Sequence, residues 1–196
     1  MSPSSLPGKL FVISAPSGTG KTTIVRRILQ KFPQCIRSIS ATTRKPRPAE
    51  RDGIDYHFLS EAEFRRKIAA GEFFEWEEVH GALYGTPKSS IEVARHGDKD
   101  LILDIDTRGA LSIQKAYGKA SCLIFLKPPA QEILEQRLRQ RRTEEETSLK
   151  KRLEAAQREL AEQNKFDYVI INDDLERAVQ EVAAVIEKVR AHDSPR

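Results

Sequence analysis

Apolar residues along the chain gather in short runs, separated by stretches in which they recur every three or four positions. The runs at Lys9–Ser14, Ile36–Ala41, Leu101–Asp104, Cys122–Leu126 and Tyr168–Ile171 read as apolar segments rather than as strict alternation. That is the pattern of parallel strands covered on both faces. Between them the spacing turns helical. Ile24, Val25, Ile28, Leu29 and Phe32 form one stripe on a helix over Thr23–Lys31. Leu175, Ala178, Val179, Val182, Ile186 and Val189 form another, with Asp173 or Asp174 as its N-cap. Strands alternating with amphipathic helices predict an α/β fold, a parallel sheet with helices on its faces.

From about residue 37 to 90 that rhythm breaks. Tyr56–Leu59, Phe73–Val79 and Ala82–Tyr84 read as short strands, the last two joined at His80-Gly81. A helix from Ser60 to Ala70 lies between them. Ser60 and Glu63 have the spacing of a capping box, and Gly71 closes the helix. A further helix is predicted to open at Thr86, with Pro87 at its first position, and to end before Gly97. A polar helical hairpin, too polar to be core, spans roughly 131–163 with a turn at Thr143–Ser148. The expected division is a core of residues 1–36, 89–130 and 160–196, a mixed α+β insertion at 37–88, and the hairpin at 131–159.

With 196 residues, 39% hydrophobic and 32% charged, the chain has the size and make-up of one globular domain with insertions. Apolar runs such as Leu10–Ile13 and Leu123–Leu126 fall far short of the roughly 20 residues that cross a bilayer, so no membrane association is expected. Met1–Lys9 lacks the apolar stretch of a secretory signal. Cys35 and Cys122 sit in apolar surroundings and read as buried free thiols. Together these point to a reducing, cytoplasmic setting. The net charge of +4 is mild, but its distribution is not. Arg44, Lys45, Arg47 and Arg51 form one cluster; Arg137, Arg139, Arg141, Arg142, Lys150, Lys151 and Arg152 form another. Guanidinium forks suit phosphate. Without interleaved aromatics the clusters read as sites for small polyphosphates, not for nucleic acid.

The strongest motif is Ala15-Pro16-Ser17-Gly18-Thr19-Gly20-Lys21-Thr22, placed between a strand and a helix. This is the context of a Walker A loop, although the first Gly of the strict pattern is Ala15. Glycines let backbone N–H groups turn around an anion, and the helix N-terminus adds its positive end. Lys21 would reach the β- and γ-phosphates of ATP, and the Thr22 hydroxyl would ligate Mg²⁺. Asp104 and Asp106 end a predicted parallel strand at the ligand edge of the sheet, where one of the two would hold water on Mg²⁺. Asp106 also fits the N-cap of the next helix. A P-loop surrounded by arginines suits a kinase whose acceptor is itself a phosphate. Such an acceptor is ionised at pH 7 and needs no general base, only cations to hold two anions in line.

The segment Thr42-Thr43-Arg44-Lys45-Pro46-Arg47-Pro48-Ala49-Glu50-Arg51-Asp52-Gly53-Ile54-Asp55-Tyr56-His57-Phe58-Leu59 resembles the signature of guanylate kinases. The resemblance continues through Phe74-Glu75-Trp76, Tyr84-Gly85-Thr86, Leu103–Asp106, Arg137, Arg141, Arg152 and Ile171–Asp174, and spans about residues 8–190. It implies a P-loop NTPase-type parallel core, a nucleoside-monophosphate-binding insertion and a helical lid. The implied reaction is Mg²⁺-dependent transfer of a phosphoryl group from ATP to GMP. Arg44, Arg47, Tyr56 and Tyr84 would hold the GMP phosphate. Glu75 would accept the N1–H and N2–H of guanine, with Ser40, Thr86, Asp104 and Asp106 completing the GMP site. Residues 15–22 and Asn172 would bind ATP. Lys21, Arg44, Arg137, Arg141 and Arg152 would act on the transferring phosphoryl, the lid arginines reaching it from water on closure. No obligatory protein partner is implied. Two other readings fit parts of the chain. Catalytically silent guanylate-kinase-like modules bind phosphopeptides but generally lack the lysine and lid arginines kept here; a related kinase acting on a phosphorylated ribose would not need Glu75.

Overall fold

The computed structural model describes residues 8–79, 81–97, 99–139 and 146–193. Five strands, β1 (Leu10–Ser14), β2 (Ile36–Arg37), β7 (Leu101–Asp104), β8 (Ser121–Lys127) and β9 (Tyr168–Ile171), form a fully parallel sheet in the order β2-β7-β1-β8-β9. The apolar runs are explained by its two covered faces. Phe11, Ile13, Ile102, Ile124, Leu126 and Ile170 pack against α1 (Lys21–Lys31) and α7 (Leu175–Asp193). Leu10, Val12, Leu101, Leu103, Leu123 and Phe125 pack against α3 (Lys88–Gly97) and α4 (Thr107–Tyr117) on the opposite side. The N-cap of α7 is Asp174, whose carboxylate accepts from the Arg177 N–H at 2.8 Å. Cys35 and Cys122 are buried and unpaired.

A second sheet stands on this core. It contains β3 (Ala41–Thr42), β4 (His57–Phe58), β5 (Phe73–Val79) and β6 (Ala82–Pro87), ordered β4-β3-β6-β5. It has its own small core, in which Phe64 of α2 (Glu61–Ala69) stacks on Phe73 with ring centroids 4.4 Å apart. The Ser60–Glu63 capping box forms as its spacing predicts.

Among the boundaries that differ from the expectation, two shape the second sheet. The predicted strand Ile36–Ala41 is divided: β2 pairs with β7, whereas β3 pairs with β4 and β6 in the second sheet. The chain leaves one sheet after Ser38, whose N–H donates to Ile102 O, and joins the other at Ser40, whose carbonyl accepts from His57 N–H. The helix predicted from Thr86 begins two residues later. Thr86 and Pro87 still pair with Glu75 and Phe73, and the Lys88 N–H donates to Glu72 O. Pro87 is tolerated because it stands at the strand end, where no ladder donor is needed.

The hairpin is built from α5 (Gln131–Arg139) and α6 (Glu146–Ala161). Ser148 is helical rather than part of a turn, and residues 143–145 lie outside the described residues. Despite its polarity the hairpin has an apolar seam of Leu134, Leu138, Leu153 and Ala156. Among the described residues, no helix is long and apolar enough to cross a membrane.

Candidate active site

The parallel sheet sets the site. In the pairing of β1 with β7, Ile13 lies beside Asp104, so the loop after β1 and the carboxylate ending β7 emerge at the same edge. Gly18 and Gly20 take φ values of 92° and 96°, which L side chains rarely adopt. Gly20 is the N-cap of α1, and its carbonyl accepts from Thr23 and Ile24 N–H. The loop thus delivers Lys21 and Thr22 to the first turn of the helix, as the motif predicts. Lys21 Nζ lies 3.0 Å from Asp104 Oδ1 and donates to Ile105 O at 2.8 Å. Burial opposes its charge, but Asp104 outweighs burial and holds the ammonium above its ordinary range.

A cavity of about 410 Å³ opens over this loop. Ala15, Pro16, Ser17, Lys21 and Thr22 form one side; Ser40, Arg44, Arg47, Tyr56 and Tyr84 come from the second sheet and its loops; Asp104 and Asp106 lie between. Arg44 Nε donates to Tyr84 Oη at 3.2 Å, and its guanidinium lies over the Tyr56 ring at 5.5 Å. Burial, reinforced by Asp104, raises the Tyr56 phenol and keeps it a donor. Glu50, which the sequence reading left without a role, braces this cluster. One of its oxygens accepts from Arg44 at 2.9 Å, the other from the Arg47 N–H at 2.8 Å. The Arg47 side chain remains exposed.

Glu75, which also lines the cavity, accepts the Thr86 hydroxyl at 2.5 Å. Thr86 is fully buried behind it, a strand residue rather than a helix cap. Burial raises the Glu75 carboxyl and Asp106 adds to the rise, while the Thr86 hydroxyl works against it. Asp106 is the N-cap of α4, accepting from Gly109 N–H at 2.8 Å. Gly109 itself is a close-approach position. A Cβ there would sit 3.3 Å from the Glu75 carboxyl carbon and 3.2 Å from Asp106 Oδ1, so the glycine leaves both carboxylates their room.

The hairpin is seated on the P-loop. Arg152 is only 7% exposed and donates to Ser17 Oγ at 2.7 Å. Half-buried Arg137 reaches Thr19 O and Asn172 O with long contacts of 3.4 and 3.5 Å. The expectation that these arginines face water is therefore corrected: the seam of α5 and α6 presses Leu134 and Leu138 against Gly18 and carries both side chains onto the loop. Arg141 lies outside the described residues. Asn172 is buried behind the P-loop, its amide donating to Thr19 O at 2.5 Å.

Two further carboxylates line the cavity and were missed. Glu77 lies two residues beyond Glu75 on the same strand face, and strand alternation from Glu75 was the available signal. Glu159 completes a helical face with Arg152, Ala155 and Ala156. Its signal was the spacing of 3, 4 and 7 from Arg152.

The guanylate kinase family model matches residues 7–189 of the chain. The chain belongs to the guanylate kinase family. The family's reaction is phosphorylation of GMP by ATP. The chain is 44% identical over 186 residues to the guanylate kinase of Thermotoga maritima, covering 95% of this chain and 89% of that one. It is 48% identical over 179 residues to the guanylate kinase of Chlorobium luteolum, covering 91% of each. The crystal structure of guanylate kinase from Anaplasma phagocytophilum superposes with a TM-score of 0.79 at 29% identity, over 96% of this chain and 87% of that one. A shikimate kinase from Bacteroides thetaiotaomicron, with a TM-score of 0.50 and 14% identity, shares the fold alone. The guanylate kinase fold thus accounts for both sheets and the hairpin.

Proposed function

We propose that this chain transfers the γ-phosphoryl group of ATP to the phosphate of GMP, giving ADP and GDP, with the cavity holding both reacting phosphates. The observation that carries this reading is that Glu75 and the P-loop line one and the same cavity. With Thr86 donating to it, the Glu75 carboxylate still has lone pairs for two guanine donors, N1–H and N2–H. Adenine presents an acceptor at N1 and would be repelled. Arg44, Arg47, Tyr56 and Tyr84 are donors clustered where the monophosphate would lie. Ser40 and Asp106 line the same cavity, and Asp106 is a charged neighbour of Glu75.

The acceptor phosphate needs no base, because its second pKa is about 6. Catalysis then rests on holding two anions in line and on stabilising the charge that spreads over the transferring oxygens. Lys21, Arg137 and Arg152, which lie on or beside the P-loop, would serve that role. Residues 15–22 would cradle the ATP phosphates, with Asn172 holding the loop from behind. The parallel core would serve ATP, the second sheet GMP, and the α5–α6 hairpin would act as the lid.

The oxygen donors suit Mg²⁺. Thr22 offers a hydroxyl and Asp104 a carboxylate at the cavity, while no group of three or more His, Cys, Asp or Glu among the described residues would grip a metal alone. That matches an ion held by one or two protein oxygens together with substrate phosphates. Thr22, and Asp104 through water, would hold it. When bound, it would neutralise charge on the β- and γ-phosphates. Burial lifts the thiols of Cys35 and Cys122 to about 11 and about 12, which suits a reducing cytoplasm.

A coupled assay of ADP release, with GMP, AMP and ribose phosphates offered in turn, tests the reading. Turnover with GMP at least 100-fold above the others is expected. Equal rates with AMP, or turnover only with a ribose phosphate, would overturn it.

A further inference from the structure

The β5–β6 hairpin carries an ordered series of side chains. Glu75 stands opposite Thr86 at the base end, and one step along the same face Glu77 stands opposite Tyr84, whose hydroxyl accepts from Arg44. One step is two residues, about 6.8 Å along a strand. A nucleotide with its base on Glu75 and its phosphate on Arg44 and Tyr84 therefore passes its sugar across Glu77. Resting on the proposed GMP site, we infer that Glu77 and Glu159 form a ribose subsite, two carboxylates on facing walls that accept the 2′- and 3′-hydroxyls of the nucleoside monophosphate.

The donor inventory of the substrates supports this. Phosphates only accept hydrogen bonds, and the guanine N1–H and N2–H belong to Glu75. Between base and phosphate the sugar hydroxyls are the donors that remain. Glu159 lines the cavity from α6, and its Oε2 is buried without a hydrogen-bond partner. Among the described residues nothing satisfies that oxygen, so the carboxylate is committed to no protein donor, and its other oxygen is the one left to accept from a molecule in the cavity. Lys21, Asp106 and Glu77 are its charged neighbours. Lys21 is committed to Asp104 and Ile105 O, so its charge is shared. Glu77 is held in place by Arg108 of α4, which donates to Oε1, and it lies beside Asp106. An ionised carboxylate has about four lone-pair sites, so these partners leave Glu77 able to accept a hydroxyl. A carboxylate on ribose hydroxyls is also how dinucleotide folds hold their sugar.

The experiment compares GMP, 2′-deoxy-GMP and 3′-deoxy-GMP as acceptors, first with the wild-type enzyme. Each deoxy analogue should show a kcat/KM tenfold or more below that of GMP, through KM rather than kcat. Next come Glu77→Ala, Glu159→Ala and the isosteric Glu159→Gln. Each alanine variant should lose tenfold or more with GMP, yet less than threefold with the analogue that lacks the hydroxyl it holds. Glu159→Gln should show the same selectivity to a smaller degree. Wild-type enzyme that uses both deoxy analogues as well as GMP overturns the subsite without reference to any variant. So do losses of equal size on all three acceptors, the pattern of a purely structural role. No turnover of GMP by the wild-type enzyme would instead strike the proposed function itself.

Discussion

Lys21 and Asp104 are paired, Nζ to Oδ1 at 3.0 Å, across the edge where β1 and β7 run side by side. The other Asp104 oxygen faces Arg37 at 3.4 Å. The P-loop lysine is thus held extended at the sheet edge by a carboxylate that is itself doubly compensated. A buried carboxylate with one cation removed is far costlier than one with both, so the two residues are energetically one unit.

Lys21→Met should reduce kcat at least tenfold if the ammonium serves the phosphates of ATP as proposed. GMP affinity should stay within about threefold, since the proposed GMP pocket draws its donors from the second sheet and its loops. Steady-state kinetics and calorimetry with GMP check this. Retention of more than about a tenth of the rate, a loss below about 1.4 kcal/mol, would remove Lys21 from the transfer step.

Glu75→Gln should weaken GMP binding by about 1.5–3 kcal/mol, the cost of a charge-assisted pair of hydrogen bonds. The amide presents an N–H₂ where guanine also donates, so AMP and IMP should gain relative to GMP. ATP affinity should not move. Competition among the monophosphates in a single assay decides it; an unchanged order of preference would place Glu75 outside the base pocket.

Much of this is readable in the sequence, and the reasons the rest is not are physical. Phe11, Ile13, Leu101 and Leu103 announce parallel strands because both faces are covered, and the Ser60–Glu63 box acts locally. The division of Ile36–Ala41 between two sheets depends on partners far along the chain, Ile102 and His57, and no local periodicity encodes it. Thr86 and Pro87 carry helix-start chemistry, yet pairing with Glu75 and Phe73 overrides it. Glu77 and Glu159 resemble solvated charges in sequence, and only the meeting of β5 with α6 across the cavity gives them a common environment. The arginines of the hairpin stand out in the sequence as a cationic cluster, but their docking does not, because it depends on Leu134 and Leu138 meeting Gly18.

Burial of Glu159 also predicts a pH dependence. Its carboxyl is pushed up to about 7, against an ordinary value of 4.5, first by burial, with Lys21 opposing and Asp106 and Glu77 adding to the rise. Between those two values the folded chain binds more protons than the unfolded one, so stability falls as pH rises through this window and levels off above it. Glu77 contributes with the same sign. Glu159→Gln should flatten the profile and leave the nucleotide-free variant more stable than the wild type at pH 8. Urea unfolding at pH 5, 6, 7 and 8 measures this; parallel curves for the two proteins would show that Glu159 is not buried as described.

The α5 helix offers an internal control for the role of the hairpin arginines. Arg137 is half-buried and aimed at the P-loop, but its contacts to Thr19 O and Asn172 O are 3.4 and 3.5 Å long. Contacts of that length contribute little to the resting protein. Arg139, two residues further on, is exposed and bound to Glu135 one turn back, an ion pair of the kind worth a few tenths of a kcal/mol. A guanidinium poised beside the transferring phosphoryl strengthens its interactions as charge spreads over the equatorial oxygens. It therefore lowers the barrier more than it tightens ground-state binding. Arginines in such positions can be worth about 10³–10⁵ in rate. Arg137→Ala should then lower kcat at least tenfold, with GMP affinity and thermal stability close to wild type. Arg139→Ala should stay within about twofold in every parameter. Steady-state kinetics on the two variants, alongside their melting temperatures, separates the readings: equal kinetic costs would mean that α5 does not present Arg137 to the reaction, and that the hairpin serves the fold rather than the transfer.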